Sequence, residues 1–346
     1  MIEKFKQYIP IFEEKIEEAK KILILPHANP DGDAIGSVLT LYNIFLKMNK
    51  EVTVYSTPQV PEFLKWMPNA RSILEINNTN KHNFRPNVFS DYDLILGIDF
   101  SSRERLKIFN NAFETAYPYK ILIDHHPNTE DVGDLIFCEP KYSSTAEFIF
   151  DILSNSKFFK YFDKNSAACI YCGMMTDTGS FCYNSSNPNT YKIVSELLKF
   201  DIDKDKIYSN VYENFSINRM RFLGYVMQKR MIINKKLKTG YIFITSKDRE
   251  RFKEQFGDTE NFVNIPLSIK GIYFSAIFIE RDNFIKISFR SKGTFPVNEF
   301  SSKHYNGGGH TNASGGESYK SLATVIEEFE NLINTEYKDT LLKYKY

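Results

Sequence analysis

The chain has 346 residues, more than one hydrophobic core usually serves, so two domains are expected. Its 42% hydrophobic and 25% charged residues are those of a globular protein and exclude low-complexity disorder. Lys plus Arg (44) balance Asp plus Glu (43) to a net charge of +1, which excludes a broad cationic surface for long duplex nucleic acid and leaves room only for a short nucleic-acid substrate.

In chain order, the N-terminus Met1-Ile2-Glu3-Lys4-Phe5-Lys6 places acids and bases where a secretory leader needs an apolar core. No run of about 18 apolar residues follows, so a soluble, cytoplasmic protein with no membrane attachment is expected. Residues 21–26 (KILILP) read as a strand, 34–48 as a helix, 51–56 and 94–98 as strands, 103–113 as a helix and 121–123 as a strand. Their continuous apolar runs predict strands buried on both faces, hence an α/β domain with a mainly parallel sheet and helices on either side. In such a sheet ligands bind beyond the carboxyl ends of the strands. Helical patterns follow at 166–176, 190–199 and 217–233, the last long and mixed in polarity. A smaller α/β unit then has strands at 241–245, 273–279 and 284–289, a glycine-rich stretch, and a closing helix over 321–334. The expected division is a catalytic domain over 1–195, a helical linker over 196–235 and a second domain over 236–346. The four cysteines fit a reducing compartment, and Cys169 and Cys172 are expected to be buried thiols, since no second pair completes a metal or redox site.

The chemistry concentrates at element ends. Leu122-Ile123-Asp124-His125-His126 closes an apolar strand with one carboxylate and two imidazoles, a pattern that holds a metal or merely caps a turn beside solvated rings. His27-Ala28-Asn29-Pro30-Asp31-Gly32-Asp33 follows the first strand, and its Pro and Gly let His27, Asp31 and Asp33 converge; an Asp helix cap is the alternative. Asp99 ends another strand, and Asp177 follows an apolar helix before a glycine turn. Together, four separated segments deliver Asp or His beside apolar runs. Carboxylates mixed with imidazole suit Mn²⁺, Mg²⁺ or Co²⁺, and packing them without cations leaves mutual repulsion. Residues 307–316 hold five of the sixteen glycines, and with Arg290 and His310 they read either as an anion cradle or as a turn beside a surface cation. His304 is a weaker candidate for the same role, and His82 reads as solvated.

These motifs, HANPDGDA, GID at 97–99, DHH at 124–126, MMTDTGSF, and SFRSKG with YNGGGH and ASGG near the end, resemble in order those of the DHH phosphoesterase superfamily and its associated C-terminal domain. The length and lack of extra domains look like its stand-alone NrnA-type oligoribonuclease and adenosine 3',5'-bisphosphate phosphatase group. The resemblance implies one cation held by His27, Asp31 and Asp99 and a second by Asp33, Asp99, His125 and Asp177, with manganese the expected metal and Asp99 the bridge. It also implies catalytic contributions from His126 and Asp124, Asp124 orienting an imidazole. Substrate contacts would come from Arg290, His304, Gly307, Gly308, Gly309 and His310. The implied reaction is hydrolysis of short RNA or 3'-phosphonucleotides in an interdomain cleft, by a water shared between cations about 3.5 to 4 Å apart. Cyclic or linear dinucleotides, pyrophosphate and polyphosphate are alternative substrates, a nucleotide-binding regulator is the alternative outside enzymes, and a homodimer is compatible with the sequence.

Overall fold

The computed structural model describes residues 3–57, 59–77, 84–127, 129–255 and 257–344; His82 lies outside them. The chain forms two compact units, Met1–Asn214 and Phe215–Tyr346. Among the described residues no helix is long and apolar enough to cross a membrane.

The first unit comprises α1 (Glu3–Lys6), α2 (Ile9–Glu18), β1 (Lys21–Pro26), α3 (Gly32–Lys47), β2 (Glu51–Ser56), β3 (Leu74–Glu75) and β4 (Leu94–Ile98). It continues with α4 (Asn110–Thr115), β5 (Tyr119–Asp124), β6 (Leu135–Cys138), α5 (Thr145–Ser154), α6 (Lys164–Asp177), α7 (Pro188–Leu198) and α8 (Lys204–Tyr212). Its six strands are parallel, in the order β3-β2-β1-β4-β5-β6. The strands are apolar throughout because both faces are covered. On β1, Ile22 and Ile24 enter one core while Leu23 and Leu25 enter another, and on β5 Ile121 and Ile123 part from Leu122 in the same way. The order reverses direction between β1 and β4, which makes their carboxyl ends the switch point of the sheet.

Two helices on the larger core approach unusually closely. A Cβ on Gly36 of α3 would lie 2.4 Å from the Cys169 carbonyl of α6, and one on Gly173 of α6 would lie 3.4 Å from the Asp33 Cα of α3 and 2.6 Å from the Ala146 Cβ of α5. Only glycine fits at either position, and the contact fixes where α3 and α6 present their polar ends. Cys169 and Cys172 are buried in α6, and burial pushes both thiols up.

Two expectations are corrected. Residues 103–113 are not one helix: Arg103–Phe109 is 3₁₀ with Lys107 at φ 50°, and α4 begins only at Asn110. The Arg105 carbonyl accepts from Ala28 N–H at 2.8 Å and is thereby taken from the helical pattern. The helix read over 217–233 stops at Lys229, because 231–234 pair with the second sheet. Within the stretch 196–235, Leu197, Ile207 and Val211 pack into the first unit and Phe222 and Val226 into the second.

The second unit contains α9 (Ile217–Lys229), β7 (Met231–Asn234), β8 (Thr239–Ile244), α10 (Ser246–Phe252), β9 (Phe274–Glu280), β10 (Ile285–Ser291), α11 (Val297–His304), β11 (Gly308–His310), β12 (Ala313–Ser318), α12 (Leu322–Asn334) and α13 (Lys338–Lys343). Its sheet runs β11-β12-β10-β9-β8-β7, with β8 and β9 parallel and the other pairs antiparallel. Phe274 and Phe278 of β9 face the core shared with α11 and α12, and Ile277 and Ile279 face α9. This too is a two-faced α/β layer.

Gly36→Ala is expected to lower the thermal unfolding midpoint by about 3–8 °C, the cost of an overpacked helix contact. Gly224→Ala, on an exposed turn of α9 with nothing within 4 Å of a new Cβ, should leave it unchanged or raise it slightly. Equal losses at both positions, read by calorimetry, would contradict this account of α3 and α6.

Candidate functional site

Strand register builds the site. Pro26 pairs with Ile98 and Ile98 with Ile123, so the next residues, His27, Asp99 and Asp124, emerge side by side at the carboxyl edge. Asp99 continues the pairing through its N–H to the Ile123 carbonyl at 2.9 Å, yet has φ 65°. This left-handed conformation is one that aspartate tolerates better than most residues, and it turns the chain where a strand would otherwise run on. His27 and Asp99 thus meet at the switch point, 3.6 Å apart from Nε2 to Oδ2.

Among the groups of ligating atoms that form here, each within 4.8 Å, are His27 with Asp31 and Asp99, Asp33 with His125 and Asp177, and Asp99 with Asp124 and His126; the first two are the ligand groups expected from the sequence. Asp99 turns Oδ2 to the first group and lies 3.8 Å by Oδ1 from His125 Nε2 in the second. His125 Nε2 is also 3.8 Å from Asp33 and 3.5 Å from Asp177. All six residues expected as metal ligands therefore converge.

The imidazoles are presented as ligands. His27 Nδ1 faces the Ala28 carbonyl at 2.9 Å and His125 Nδ1 the Tyr142 carbonyl at 3.2 Å, so Nδ1 carries the proton in each. Burial, with the Arg105 guanidinium nearby, lowers His27 to about 4, and burial lowers His125 as well. Burial thus favours the neutral ring at both, with Nε2 toward the carboxylates. His27 Nε2 is buried and makes no hydrogen bond, a cost that a cation between it, Asp99 and Asp31 would remove. Burial and then neighbouring carboxylates raise Asp33 and Asp99 well above the usual range, Asp177 being the largest such neighbour for Asp33 and Asp33 for Asp99. The donor set fits divalent cations.

Asp31 serves both roles that its position suggests. Oδ1 caps α3, accepting from Asp33 N–H at 3.0 Å and Ala34 N–H at 3.1 Å, while Oδ2 lies 3.9 Å from His27. Asp124 and His126 differ from the ligand groups in being bonded to each other, Nδ1 to Oδ1 at 2.7 Å. Asp124 also accepts from the Thr129 hydroxyl at 2.7 Å. Burial opposes the charge on Asp124, but bonds from His126 and Thr129 overcome it and hold the carboxyl well below the usual range.

Several residues escaped sequence reading. Arg105 places Nη1 3.3 Å from His126 Nε2, and nothing in its neighbourhood in sequence marks it. The start of α5 enters the site: Thr145 and Ala146 N–H groups donate to Asp33 at 2.7 and 2.8 Å, and the Thr145 hydroxyl donates to Asp99 at 2.7 Å. Ser144-Thr145-Ala146-Glu147 has the spacing of a helix start and could have signalled it.

In the second unit the glycine stretch is a hairpin rather than a loop, with β11 and β12 joined at Thr311 and Asn312. Gly307 and Gly309 are needed for packing: a Cβ would lie 2.0 Å from the Gly315 carbonyl and 2.6 Å from the Ala313 carbonyl. Gly308 alone of the three has nothing within 4 Å and is open to an approaching group. Arg290, on β10, donates to the Phe289 carbonyl at 2.9 Å. The polar contacts of His304 run to the Tyr337 hydroxyl at 3.2 Å and Glu336 at 3.7 Å, in the packing of the C-terminal helices.

The model of the DHH family, N-terminal domain, matches residues 21–174, and that of the DHHA1 domain matches 240–339. The chain is 30% identical over 328 residues to a probable bifunctional oligoribonuclease and PAP phosphatase NrnA of Streptococcus mutans serotype c, covering 92% of this chain and 97% of that one. It is 27% identical over 302 residues to the bifunctional oligoribonuclease and PAP phosphatase NrnA of Bacillus subtilis, covering 86% and 89%. Among solved structures, an exopolyphosphatase-related protein from Bacteroides fragilis superposes with a TM-score of 0.89 at 41% identity, covering 97% of this chain and 98% of that one. RecJ in complex with Mn²⁺ from Thermus thermophilus shares the fold with a TM-score of 0.56 at 11% identity, covering 99% of this chain and 55% of its own.

Asp99→Asn removes one of the crowded charges at nearly constant shape. In EDTA the variant should unfold several degrees above wild type at pH 8. The gain should vanish toward pH 4, because a carboxyl raised in the folded state costs stability only above its unfolded value of about 3.9. Mn²⁺ should raise the wild-type midpoint and leave the variant unmoved in thermal shift assays. A variant less stable than wild type in EDTA at pH 8 would contradict the charge-crowding argument.

Proposed function

The chain belongs to the DHH family, carries a DHHA1 domain and is a hydrolase of phosphoester bonds; we propose that it is a manganese-dependent enzyme of short oligoribonucleotides and adenosine 3',5'-bisphosphate, acting through two cations. The observation that carries the two-cation reading is the position of Asp99, with one oxygen 3.6 Å from His27 and the other 3.8 Å from His125. His27, Asp31 and Asp99 would hold one cation, and Asp33, Asp99, His125 and Asp177 the other. Bound there, such cations lower the pKa of a water and neutralise phosphoryl oxygens.

The remaining chemistry falls to side chains. Arg105 donates toward His126 Nε2, so the His126 proton rests on Nδ1 against Asp124. Nε2 is the atom that would meet a substrate oxygen, and Asp124 keeps the ring in that orientation. The Arg105 guanidinium beside it is a donor of the kind phosphoryl oxygens attract. In the second unit Arg290, His310 and the open backbone at Gly308 are proposed to hold substrate phosphate. His304, engaged with Tyr337 and Glu336, is proposed to support that region from the helix side. A cytoplasmic location belongs to the same reading, supported by four free thiols.

The relatives named bifunctional oligoribonuclease and PAP phosphatase support this substrate class. The 41% identical exopolyphosphatase-related protein supports polyphosphate as a second reading. Metal-depleted enzyme resupplied with Mn²⁺ should be assayed on adenosine 3',5'-bisphosphate, RNA of two to five nucleotides, a 30-nucleotide RNA, pyrophosphate and polyphosphate. Turnover of the bisphosphate and the short RNAs, falling with RNA length, is expected; turnover of polyphosphate alone would replace the proposal by the second reading. Arg290→Ala and His310→Ala should raise KM about tenfold or more without loss of bound Mn²⁺, the cost of one charged contact.

A further inference from the structure

Asp33 and Asp99 are the most deeply buried of the candidate ligand carboxylates, and the element that bonds to both is α5. Its first residue, Thr145, makes two contacts with two different aspartates: the backbone N–H to Asp33 Oδ2 at 2.7 Å and the hydroxyl to Asp99 Oδ1 at 2.7 Å. Ala146 N–H takes the other oxygen of Asp33 at 2.8 Å. A helix start leaves its first N–H groups without helical partners, and here two of them go to one buried carboxylate, while the Ser144 hydroxyl caps the third at Glu147 N–H, 3.0 Å away. The positive end of a ten-residue helix therefore points at the most crowded carboxylates of the site.

Asp99 gains most from this arrangement. It sits on a turn at φ 65°, and its two oxygens face different ligand groups, so rotation of its carboxylate would spoil both groups at once. Among the described residues, the Thr145 hydroxyl is the donor seen to fix Oδ1. The Thr145 backbone N–H cannot do this, since it is already engaged by Asp33.

We propose that Thr145 is a positioning residue of the metal centre: its hydroxyl sets the carboxylate plane of Asp99, its backbone anchors Asp33, and the two groups of ligands are thereby held in register. The inference rests on the divalent-cation reading of the site. Its role is distinct from catalysis, because the hydroxyl acts through Asp99 and not on substrate.

The test is Mn²⁺ binding by equilibrium dialysis of the full-length protein, with thermal unfolding in EDTA alongside. Thr145→Val keeps the branched shape and the helix start and removes only the hydroxyl; it should weaken Mn²⁺ affinity about 10- to 100-fold, the usual cost of losing a partner of a metal ligand. Thr145→Ser restores the hydroxyl and should bind within about threefold of wild type. Thr40→Val loses a buried hydroxyl bonded to the Gly36 carbonyl at 2.8 Å and should leave Mn²⁺ affinity unchanged. Saturating Mn²⁺ should recover most of the Thr145→Val turnover, moving the metal dependence and sparing kcat. Unchanged Mn²⁺ affinity in Thr145→Val, or equal loss in Thr145→Ser, overturns the inference while the cation reading stands. Wild-type protein that binds no Mn²⁺ overturns both.

Discussion

The rest of the structure depends on one electrostatic constraint, the crowding of carboxylates at the carboxyl edge of the parallel sheet. Asp33 and Asp99 are at most 2% exposed, and burial and mutual repulsion both push them toward the neutral form. Asp124, buried just as deeply, goes the other way, because His126 and Thr129 direct their protons at it. The centre is therefore divided into a pair of carboxylates that burial and mutual repulsion hold toward the neutral form and one whose charge is secured. Cations are the natural complement of the first kind, and a fixed imidazole is the product of the second.

Backbone packing meets this constraint with the same atoms that form the core. Gly36 and Gly173 let α3 and α6 touch, and a Cβ on Gly173 would lie 3.1 Å from Asp33 Oδ1. Closeness of the helices and placement of the carboxylate are thus a single requirement. Asp33 opens α3, Asp177 ends α6, and α5 donates its first N–H groups to Asp33, so three helix ends meet one sheet edge. Helix ends carry unsatisfied groups and partial charge, which is why polar chemistry gathers at this edge instead of within the layers.

Much of this was legible in the sequence because burial on both sheet faces forces continuous apolar runs. The bounds of β1, β2 and β4 coincide with those read from the residues, and the Asp and His side chains read at the ends of apolar runs come together. Features set by tertiary contact were not legible. The helix expected over 103–113 breaks because Ala28 takes the Arg105 carbonyl, and β7 forms where a helix pattern continued because β8 lies beside it. The hairpin of β11 and β12 was hidden by its glycines, which lack strand propensity yet are required where backbones close to 2.0 Å of a would-be Cβ. Arg105 carries no local signal of a site, and the residues around Thr145 signal only a helix start; the fold brings both to the site. For Asp31 the two competing readings, helix cap and ligand, were never exclusive, since a carboxylate has an oxygen for each.

The adjacent imidazoles show how small differences in partner separate roles. His125 and His126 have ring centres 4.8 Å apart, and each turns Nδ1 toward an oxygen. The partner of His125 is the Tyr142 carbonyl, which accepts a proton contact but cannot take the proton or balance a positive ring. That suits a ring that stays neutral and offers Nε2 to a metal. The partner of His126 is an anion already held by Thr129, and the Thr129 hydroxyl in turn accepts from the Cys138 thiol at 3.0 Å. The Thr129 hydroxyl is 2.7 Å from Asp124 against 3.2 Å from the His126 carbonyl, so its shorter bond goes to the carboxylate. A positive charge arising on His126 when Nε2 takes a proton would find its counter-ion in place, as it does wherever a carboxylate backs an imidazole that handles protons. The two histidines have the same chemistry in isolation, and the proposed division between a cation ligand and a phosphate-facing ring rests on the neutral carbonyl behind one and the carboxylate behind the other.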